Sequence, residues 1–124
     1  MTDIIYAYTR KQAAQDGEQV DVSATAAEAG IRFPVFLTRR VFETYVIVPP
    51  KVRWQEEAGR LWDILSMLRF AIKRLNGGGD RITYALYVAN DNRRAKLVKL
   101  TATCGPLDID DPQPAITIMM PGED

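Results

Sequence analysis

The chain has 124 residues, of which 47% are apolar, so a single domain spanning residues 1–124 with one hydrophobic core is expected. It contains 16 basic residues, 16 acidic residues, no histidine and one cysteine, Cys104. These counts exclude histidine-dependent catalytic triads, the usual zinc sites and an intrachain disulfide. We therefore predict a non-enzymatic protein without a metal or other cofactor.

The sequence lacks the signals of membrane insertion and export. No stretch approaches the roughly 18 uninterrupted apolar residues of a membrane span, and Asp3 lies where a signal peptide would carry positive charge. We expect a cytoplasmic protein. Basic residues concentrate between positions 31 and 100 and acidic residues towards both ends, so these regions either neutralise each other in the fold or form an electric dipole.

The N-terminal third is expected to form short helices separated by loops. Thr9 and Gln12 have the spacing of a capping box, which predicts a helix of at most two turns. Asp21 or Ser23 can cap a second short, alanine-rich helix. Gly30 can end that helix in the left-handed conformation that glycine tolerates.

A short apolar run from Val46 to Pro50 follows a third predicted helix. Thr38 can cap that helix over residues 39–45, and the two prolines prevent its continuation. An apolar run rimmed by cations is typical of an interface, but a buried strand is an equally good interpretation. The flanking cations are Arg39, Arg40, Lys51 and Arg53, of which Arg39 and Arg40 are candidates for binding a partner.

The strongest periodic signal predicts a long amphipathic helix from Trp54 to Leu75. Apolar residues recur there at three- and four-residue steps, with Arg60 among the charged residues of the other side. Acids come early and bases late, the order that the helix dipole favours, and glycines end the helix. Tryptophans at helical spacing usually pack in a core; the other possibility is a binding role for Trp54 or Trp62.

After these glycines the apolar period changes to two, which predicts strands. Ile82 to Val88 and Lys96 to Cys104 form a hairpin, and Ala115 to Met120 forms a third strand after a loop from Gly105 to Pro114. Ile4 to Tyr8 can add an edge strand. The predicted fold is α+β, with short N-terminal helices and one long central helix packed on a C-terminal three-stranded antiparallel sheet.

Catalytic groups are few. Cys104 lies on the inward face of its predicted strand, which indicates a buried, inert thiol rather than a nucleophile. The tyrosines and their neighbouring carboxylates form no specific acid–base pattern. The three glycines at 77–79 lead into a strand, whereas a phosphate-binding loop leads into a helix.

Three segments resemble a known family in order and spacing: IIYAYTRKQAAQDGEQVDVSATAAEAGIRFPVFLT, GRLWDILSMLRFAIKR, and LTATCGP followed by AITIMMPGED. The family consists of small uncharacterised proteins carried by bacterial plasmids and phages. After the LTATCGP segment this chain has LDIDDPQP in place of a short glycine- and aspartate-rich link. The resemblance implies no catalytic or binding residues. It implies a bacterial host cell and an accessory gene of a mobile element, a setting in which non-enzymatic inhibitors of host defence are common.

Three acidic residues before the last strand are a candidate partner-binding site: Asp108, Asp110 and Asp111. Clustered carboxylates can bind hard cations, but a calcium loop needs more ligands and a central glycine, which are missing here. The alternatives are a surface that docks on a basic partner, to which Glu123 and Asp124 can add, and an ordinary solvated loop.

Four basic residues near the tip of the predicted hairpin are a candidate nucleic-acid site: Arg93, Arg94, Lys96 and Lys99. Cations this close together on paired strands can contact a phosphate backbone or an acidic protein patch. The competing interpretation is a sheet edge kept soluble by its charge.

The leading functional hypothesis is an accessory protein that blocks a CRISPR effector or a restriction complex by occupying a surface made for nucleic acid. In this hypothesis the three aspartates engage cations that normally hold phosphates. The alternative hypothesis is a weak nucleic-acid-binding module for plasmid or phage maintenance. It uses the four basic hairpin residues and loses affinity steeply as salt rises.

Overall fold

The computed structural model describes residues 8–50, 52, 55–75, 79–90 and 94–123. Its elements are α1 (Arg10–Gln15), β1 (Gln19–Asp21), α2 (Ser23–Glu28), β2 (Val35–Thr38), α3 (Arg39–Val41), a π-helical turn (Phe42–Val46), α4 (Glu57–Arg74), β3 (Arg81–Val88), β4 (Lys96–Asp108) and β5 (Asp111–Met119). The α+β class is confirmed. Trp54 and residues 4–7 of the possible edge strand lie outside the described ranges. No described helix has both the length and the apolar character needed to cross a membrane.

The strands form a five-stranded sheet in the order β1-β2-β5-β4-β3. β5 pairs in parallel with β2, and the other neighbours are antiparallel. The antiparallel set of β3, β4 and β5 is confirmed, but the prediction of a three-stranded sheet is wrong because β1 and β2 extend it. β1 has only three residues, and the first three residues of β2 are all buried, so neither shows the alternation that indicates a strand.

β4 and β5 are longer than predicted because the connection between them is itself paired. Cα partners continue past Cys104, through Pro106 and Pro114, to Asp108 and Asp111, with a register shift between Pro106 and Asp108. Prolines favour a loop because they cannot donate to a strand ladder. Here the two prolines are Cα partners, and the N–H groups of Cys104 and Ile116, two residues away on each strand, donate to Asp80 and Pro34 outside this strand pair. Because N–H direction alternates along a strand, the two proline nitrogens also point away from each other, so no hydrogen bond between β4 and β5 is lost.

The N-caps of the two N-terminal helices agree only in part with the prediction. The capping box of α1 is confirmed, since the Thr9 hydroxyl accepts from the N–H of Gln12 at 3.0 Å and the Gln12 side chain accepts from the N–H of Thr9 at 2.9 Å. The N-cap of α2 is Val22, whose side chain makes no hydrogen bond, but the Asp21 carboxylate accepts from the N–H of Ser23, the first residue of the helix, at 2.9 Å. Of the two predicted caps, Asp21 therefore binds the start of α2 and Ser23 does not. The Ser23 hydroxyl instead accepts from the N–H of Val35 at 3.0 Å and joins α2 to β2.

The third helix begins at its predicted cap, where the Thr38 hydroxyl accepts from the N–H of Val41 at 3.3 Å. It continues as the π-helical turn to Val46 and ends where Ile47 becomes extended. Val46 is buried in the core, whereas Ile47 is exposed. The apolar run from Val46 to Pro50 therefore enters the core at its first residue.

α4 packs on one face of the sheet, as its period predicts. Its residues Ile64, Leu65 and Leu68 are fully buried, whereas Trp62, for which packing in the core was the first interpretation, is exposed. The sheet contributes alternate residues that point towards α4. These are Val35, Leu37, Tyr84, Leu86, Leu100, Ala102, Ile116 and Ile118.

Arg60 of α4 is only 5% exposed, although the sequence places it on the polar side. Its guanidinium donates to the carbonyl of Tyr45 at 2.6 Å, to the carbonyl of Ala89 at 2.9 Å and to the Gln55 side chain at 2.9 Å, and it also contacts the Asn90 side chain. Burial lowers the pKa of Arg60. The side chain thus joins α4, the π-helical turn and the end of β3 through uncharged acceptors.

α1 packs on the opposite face of the sheet through Arg10. The Arg10 guanidinium donates to the carbonyl of Leu107 at 2.6 Å and to the side chains of Gln19 and Thr117, each at 2.9 Å. It also lies 4.5 Å from the centre of the Phe36 ring. Partial burial lowers the pKa of Arg10, against the opposing influence of nearby carboxylates.

Candidate functional site: a basic groove at the end of α4

One of the three predicted acidic residues, Asp108, makes hydrogen bonds within the fold. The Asp108 carboxylate accepts from the backbone N–H groups of Ile109 at 2.9 Å, Lys11 at 3.0 Å and Arg10 at 3.1 Å. These bonds, chiefly that from Ile109, lower the pKa of Asp108. Because Arg10 and Lys11 begin α1, Asp108 holds the first turn of that helix and is not a free docking carboxylate.

The remaining acidic residues are separated. Asp110 is exposed at the tip of the β4–β5 hairpin, and Asp111 accepts from the N–H of Gln113 at 3.0 Å. Glu123 belongs to another site, where it accepts from the Thr38 hydroxyl at 2.9 Å, and Asp124 is outside the described residues. In the part of the chain that the structure describes, no three cysteine or acidic residues are placed to hold a metal ion.

Arg39 is paired within the fold. It donates to Glu43 at 2.8 Å and to Glu18 at 3.1 Å, and these bonds, chiefly that to Glu43, raise its pKa. Arg40 is exposed beside the same carboxylates. Exposed pairs of this kind contribute little to stability or affinity, so the two arginines form a mixed-charge surface. The other flanking cations, Lys51 and Arg53, lie outside the described ranges.

The basic hairpin residues do not form one surface. Arg93 is outside the described residues, and Arg94, Lys96 and Lys99 are exposed. Lys96 and Lys99 are an odd number of residues apart on β4, so their side chains point to opposite faces of the sheet. Lys99 shares its face with Leu97 and with Tyr87, the residue paired with Leu97 on β3.

Cys104 is exposed, which makes the prediction of a buried thiol wrong. The residue has the inward parity of Leu100 and Ala102, but it lies beyond the part of the strand that α4 covers. Its backbone N–H donates to the carbonyl of Asp80 at 2.8 Å, at the start of β3. The thiol therefore lines an open groove rather than the core.

This groove has a volume of about 460 Å³ and lies between the last turns of α4, the segment from Gly30 to Phe33, and the neighbouring ends of β3 and β4. Its floor is apolar, and the charged residues that line it within the described ranges are four cations and one carboxylate. The floor includes Leu68, Ile72, Ile82, Ala102 and Ile116. The charged residues are Arg32, Arg69, Lys73, Arg81 and Asp80.

The cations of the groove come from three separate elements. Lys73 lies in the last turn of α4, where the helix dipole alone favours a cation, but Arg32 and Arg81 lie outside that helix. Among the described residues, ion pairs are formed by Arg39 and not by Arg32, Arg69 or Lys73. The groove is therefore a concentration of positive charge around an apolar floor.

Gly30 sets the position of one wall. It has φ +94°, as its predicted place after α2 requires, and a Cβ there would overlap the side chain of Arg69. Phe33, three residues further on, is 46% exposed at the rim. The glycine lets the Arg69 side chain lie across the backbone, and the following residues bring an aromatic ring and a cation to the opening.

Sequence reasoning missed this groove because its residues come from five separated parts of the chain. The periodic signals correctly placed Leu68 and Ala102 in the core. They did not indicate that Ile72 and Cys104 lie beyond the part of the sheet that α4 covers. The basic end of the long helix was the only signal of the site.

The comparisons with known proteins identify a family and no individual relative. A family model described as a family of unknown function (DUF6573) matches residues 1–124. Neither the comparison with curated proteins nor that with solved structures finds a match.

Proposed function

Because the chain belongs to DUF6573, a family of unknown function, we propose from its own geometry that it is a non-catalytic protein that binds single-stranded nucleic acid in the basic groove. The observation that carries the proposal is the ratio of four cations to one carboxylate around an apolar floor. Guanidinium and ammonium groups stay protonated at neutral pH, so they suit binding of phosphates better than general-base catalysis.

The shape of the groove favours single strands. Proteins that bind single strands combine a cationic groove for the backbone with an aromatic ring on which a base stacks. Phe33 offers such a ring beside Arg32, and the volume of about 460 Å³ is within the range of pockets that hold a small organic group, such as one nucleotide. A duplex would keep its bases paired and leave the apolar floor unused.

The test is fluorescence anisotropy with a labelled oligothymidine of about 15 nucleotides, titrated at several salt concentrations. We expect the Arg32→Ala/Lys73→Ala variant to bind about tenfold more weakly and to reduce the slope of log affinity against log salt by about 0.7 for each lost phosphate contact. Phe33→Ala should weaken binding without changing this slope, because stacking releases no counterions.

The matched control is Arg94→Ala/Lys99→Ala, which removes the same charge outside the groove. It should retain near wild-type affinity. Equal losses in the two double variants would mean that net charge drives binding, and a loss in the control alone would favour the hairpin site. Either result contradicts a role for the groove.

A second candidate function is supported by the tip of the β4–β5 hairpin. Ile109 is 55% exposed there, beside the exposed Asp110, and an apolar side chain next to a free carboxylate can anchor a protein partner with a basic surface. In this function the chain is a mobile-element accessory protein that docks on a host defence complex, such as a CRISPR effector or a restriction enzyme, and occupies its nucleic-acid surface.

This second function is tested by affinity capture from nuclease-treated bacterial lysate, followed by mass spectrometry. The Ile109→Ala/Asp110→Lys variant should lose the captured nuclease or surveillance complex, whereas Glu28→Lys, a charge reversal elsewhere on the surface, should retain it. Capture of the same complex by both variants would rule out docking through the hairpin tip.

A further inference from the structure

β3 forms one edge of the sheet, and no described strand pairs with its outer side. Natural edge strands are commonly protected from pairing by shortness, by proline, by lysine or by bulges. β3 has eight residues, contains no proline, glycine or lysine, and pairs with β4 without a register shift. It therefore has the features of a strand that pairs with another strand in an assembly.

α4 lies beside this edge. The Tyr84 hydroxyl of β3 donates to the carbonyl of Ile64 at 3.0 Å, and Arg60 donates to the carbonyl of Ala89 just after β3. The other flank of α4 faces α2, because Arg69 lies against Gly30. At about 100° per residue, Asp63, Met67, Phe70 and Arg74 lie roughly 100–160° around the helix from Arg69, on the flank nearest the β3 edge.

This flank exposes apolar surface next to the outer side of β3, with which no described strand pairs. Phe70 is 54% exposed and Met67 is 37% exposed, and the guanidinium of Arg74 lies 5.6 Å from the centre of the Phe70 ring. Exposed apolar groups gathered in one place mark interaction sites more often than isolated ones do. We call the outer side of residues 82–88 of β3, together with Asp63, Met67, Phe70 and Arg74, the edge surface.

We propose that the edge surface binds a second copy of the chain. In this dimer β3 pairs antiparallel with β3 of the other copy, and the two α4 helices lie antiparallel to each other over the paired strands. Asp63 and Arg74 are equally far along α4 from the point midway between Met67 and Phe70. A two-fold axis at that point brings Met67 of one copy to Phe70 of the other, and Asp63 of one copy to Arg74 of the other.

Charge complementarity selects a second copy over an unrelated partner. The first turn of α4 is acidic and its last turn is basic, so antiparallel helices place opposite charges together at both ends. The Arg69 wall of the basic groove lies on the other flank of α4, whereas its residues 79–82 adjoin the start of β3. The inference is independent of the proposed function, because it requires no ligand.

Sedimentation equilibrium across roughly 1 to 500 μM tests the dimer, since interfaces of modest size dissociate in this range. The mass should rise from 13.9 kDa towards twice that value. Asp63→Arg and Arg74→Asp should each weaken dimerisation about tenfold by placing like charges together, and the double variant should restore it by exchanging the two charges. Phe70→Glu should leave a monomer.

Trp62→Glu is the matched control, because it places the same charge at an exposed aromatic on the other side of α4 and should leave the dimer intact. Hydrogen exchange adds a readout that needs no variant: amides of β3 should become protected as concentration rises, and amides of β1, the other edge, should not. A monomer at all concentrations, or a dimer insensitive to Phe70→Glu and to both charge reversals, overturns the proposal.

Discussion

The carboxylate of Asp108 accepts a hydrogen bond from the backbone N–H of Arg10 at 3.1 Å, although the two residues are 98 positions apart in the chain. The side chain of the same arginine donates back to the carbonyl of Leu107 at 2.6 Å. The start of α1 and the end of β4 are thus joined in both directions. An aspartate that the sequence offers as a docking group is part of the attachment of the N-terminal helix.

We predict that Asp108→Ala detaches α1 and lowers the free energy of unfolding, whereas Asp108→Asn keeps part of the attachment through its remaining oxygen. The pKa of Asp108 is lowered in the fold, so the carboxylate stabilises the protein above the unfolded-state pKa of about 4 and ceases to do so as pH falls through the lower folded value. Urea unfolding at neutral and acidic pH measures this. The acid-dependent loss should be smaller in Asp108→Asn than in the wild type; identical pH profiles would contradict the prediction.

Arg60→Met should destabilise the protein by about 2–4 kcal/mol, because it leaves the carbonyls of Tyr45 and Ala89 without their donor. The comparison is Lys73→Met at an exposed position of the same helix, which should change stability by less than about 0.5 kcal/mol. Chemical denaturation of both variants provides the measurement. Similar small effects would mean that the Arg60 hydrogen bonds contribute no net stability.

Gly30→Ala should cost about 1 kcal/mol, because alanine is strained at positive φ. The added Cβ would also overlap the outer atoms of the Arg69 side chain, but this exposed, flexible side chain can rotate away at little cost. Gly17 also has positive φ and nothing within 4 Å of an added Cβ, so Gly17→Ala should cost about the same. Chemical denaturation of both variants provides the measurement, and a cost at Gly30 that is several kcal/mol larger than at Gly17 would mean that the Arg69 side chain cannot move.

Cys104 should react with a disulfide reagent such as DTNB in the native protein at a rate within about tenfold of that of the unfolded chain, because its thiol is exposed. A buried thiol would react only through rare opening, about a thousandfold or more slowly. Absorbance of the released thiolate follows the reaction. If the groove binds nucleic acid, carboxymethylation of this thiol should weaken binding more than neutral carbamidomethylation does, because it adds a negative charge.

Local signals predicted what local interactions decide. The capping box at Thr9, the cap at Thr38 and the period of the long helix are each encoded within a few residues, and each is present. The parallel pairing of Val35 with Ile116 is not encoded locally. It depends on residues 81 positions apart and on a strand too short to show alternation.

The candidate site was less accessible to sequence reasoning for a related reason. Burial of Cys104 depends on where α4 stops covering the sheet, and the use of Asp108 depends on where α1 docks. Both depend on tertiary packing, which the alternation of apolar residues and the distribution of charge along the chain do not predict. The burial of Arg60 likewise depends on carbonyls that other elements supply.

The central place of β5 determines when this chain can fold during its synthesis. β5 connects β2 to β4, yet it follows both of them in the chain. A nascent chain that ends before Asp111 has two separate strand pairs with no ladder between them, so the sheet cannot close while the last strand is still inside the ribosome. The sheet is therefore expected to form only once β5 has left the ribosome, with Val35 and Leu37 exposed until Ile116 and Ile118 emerge.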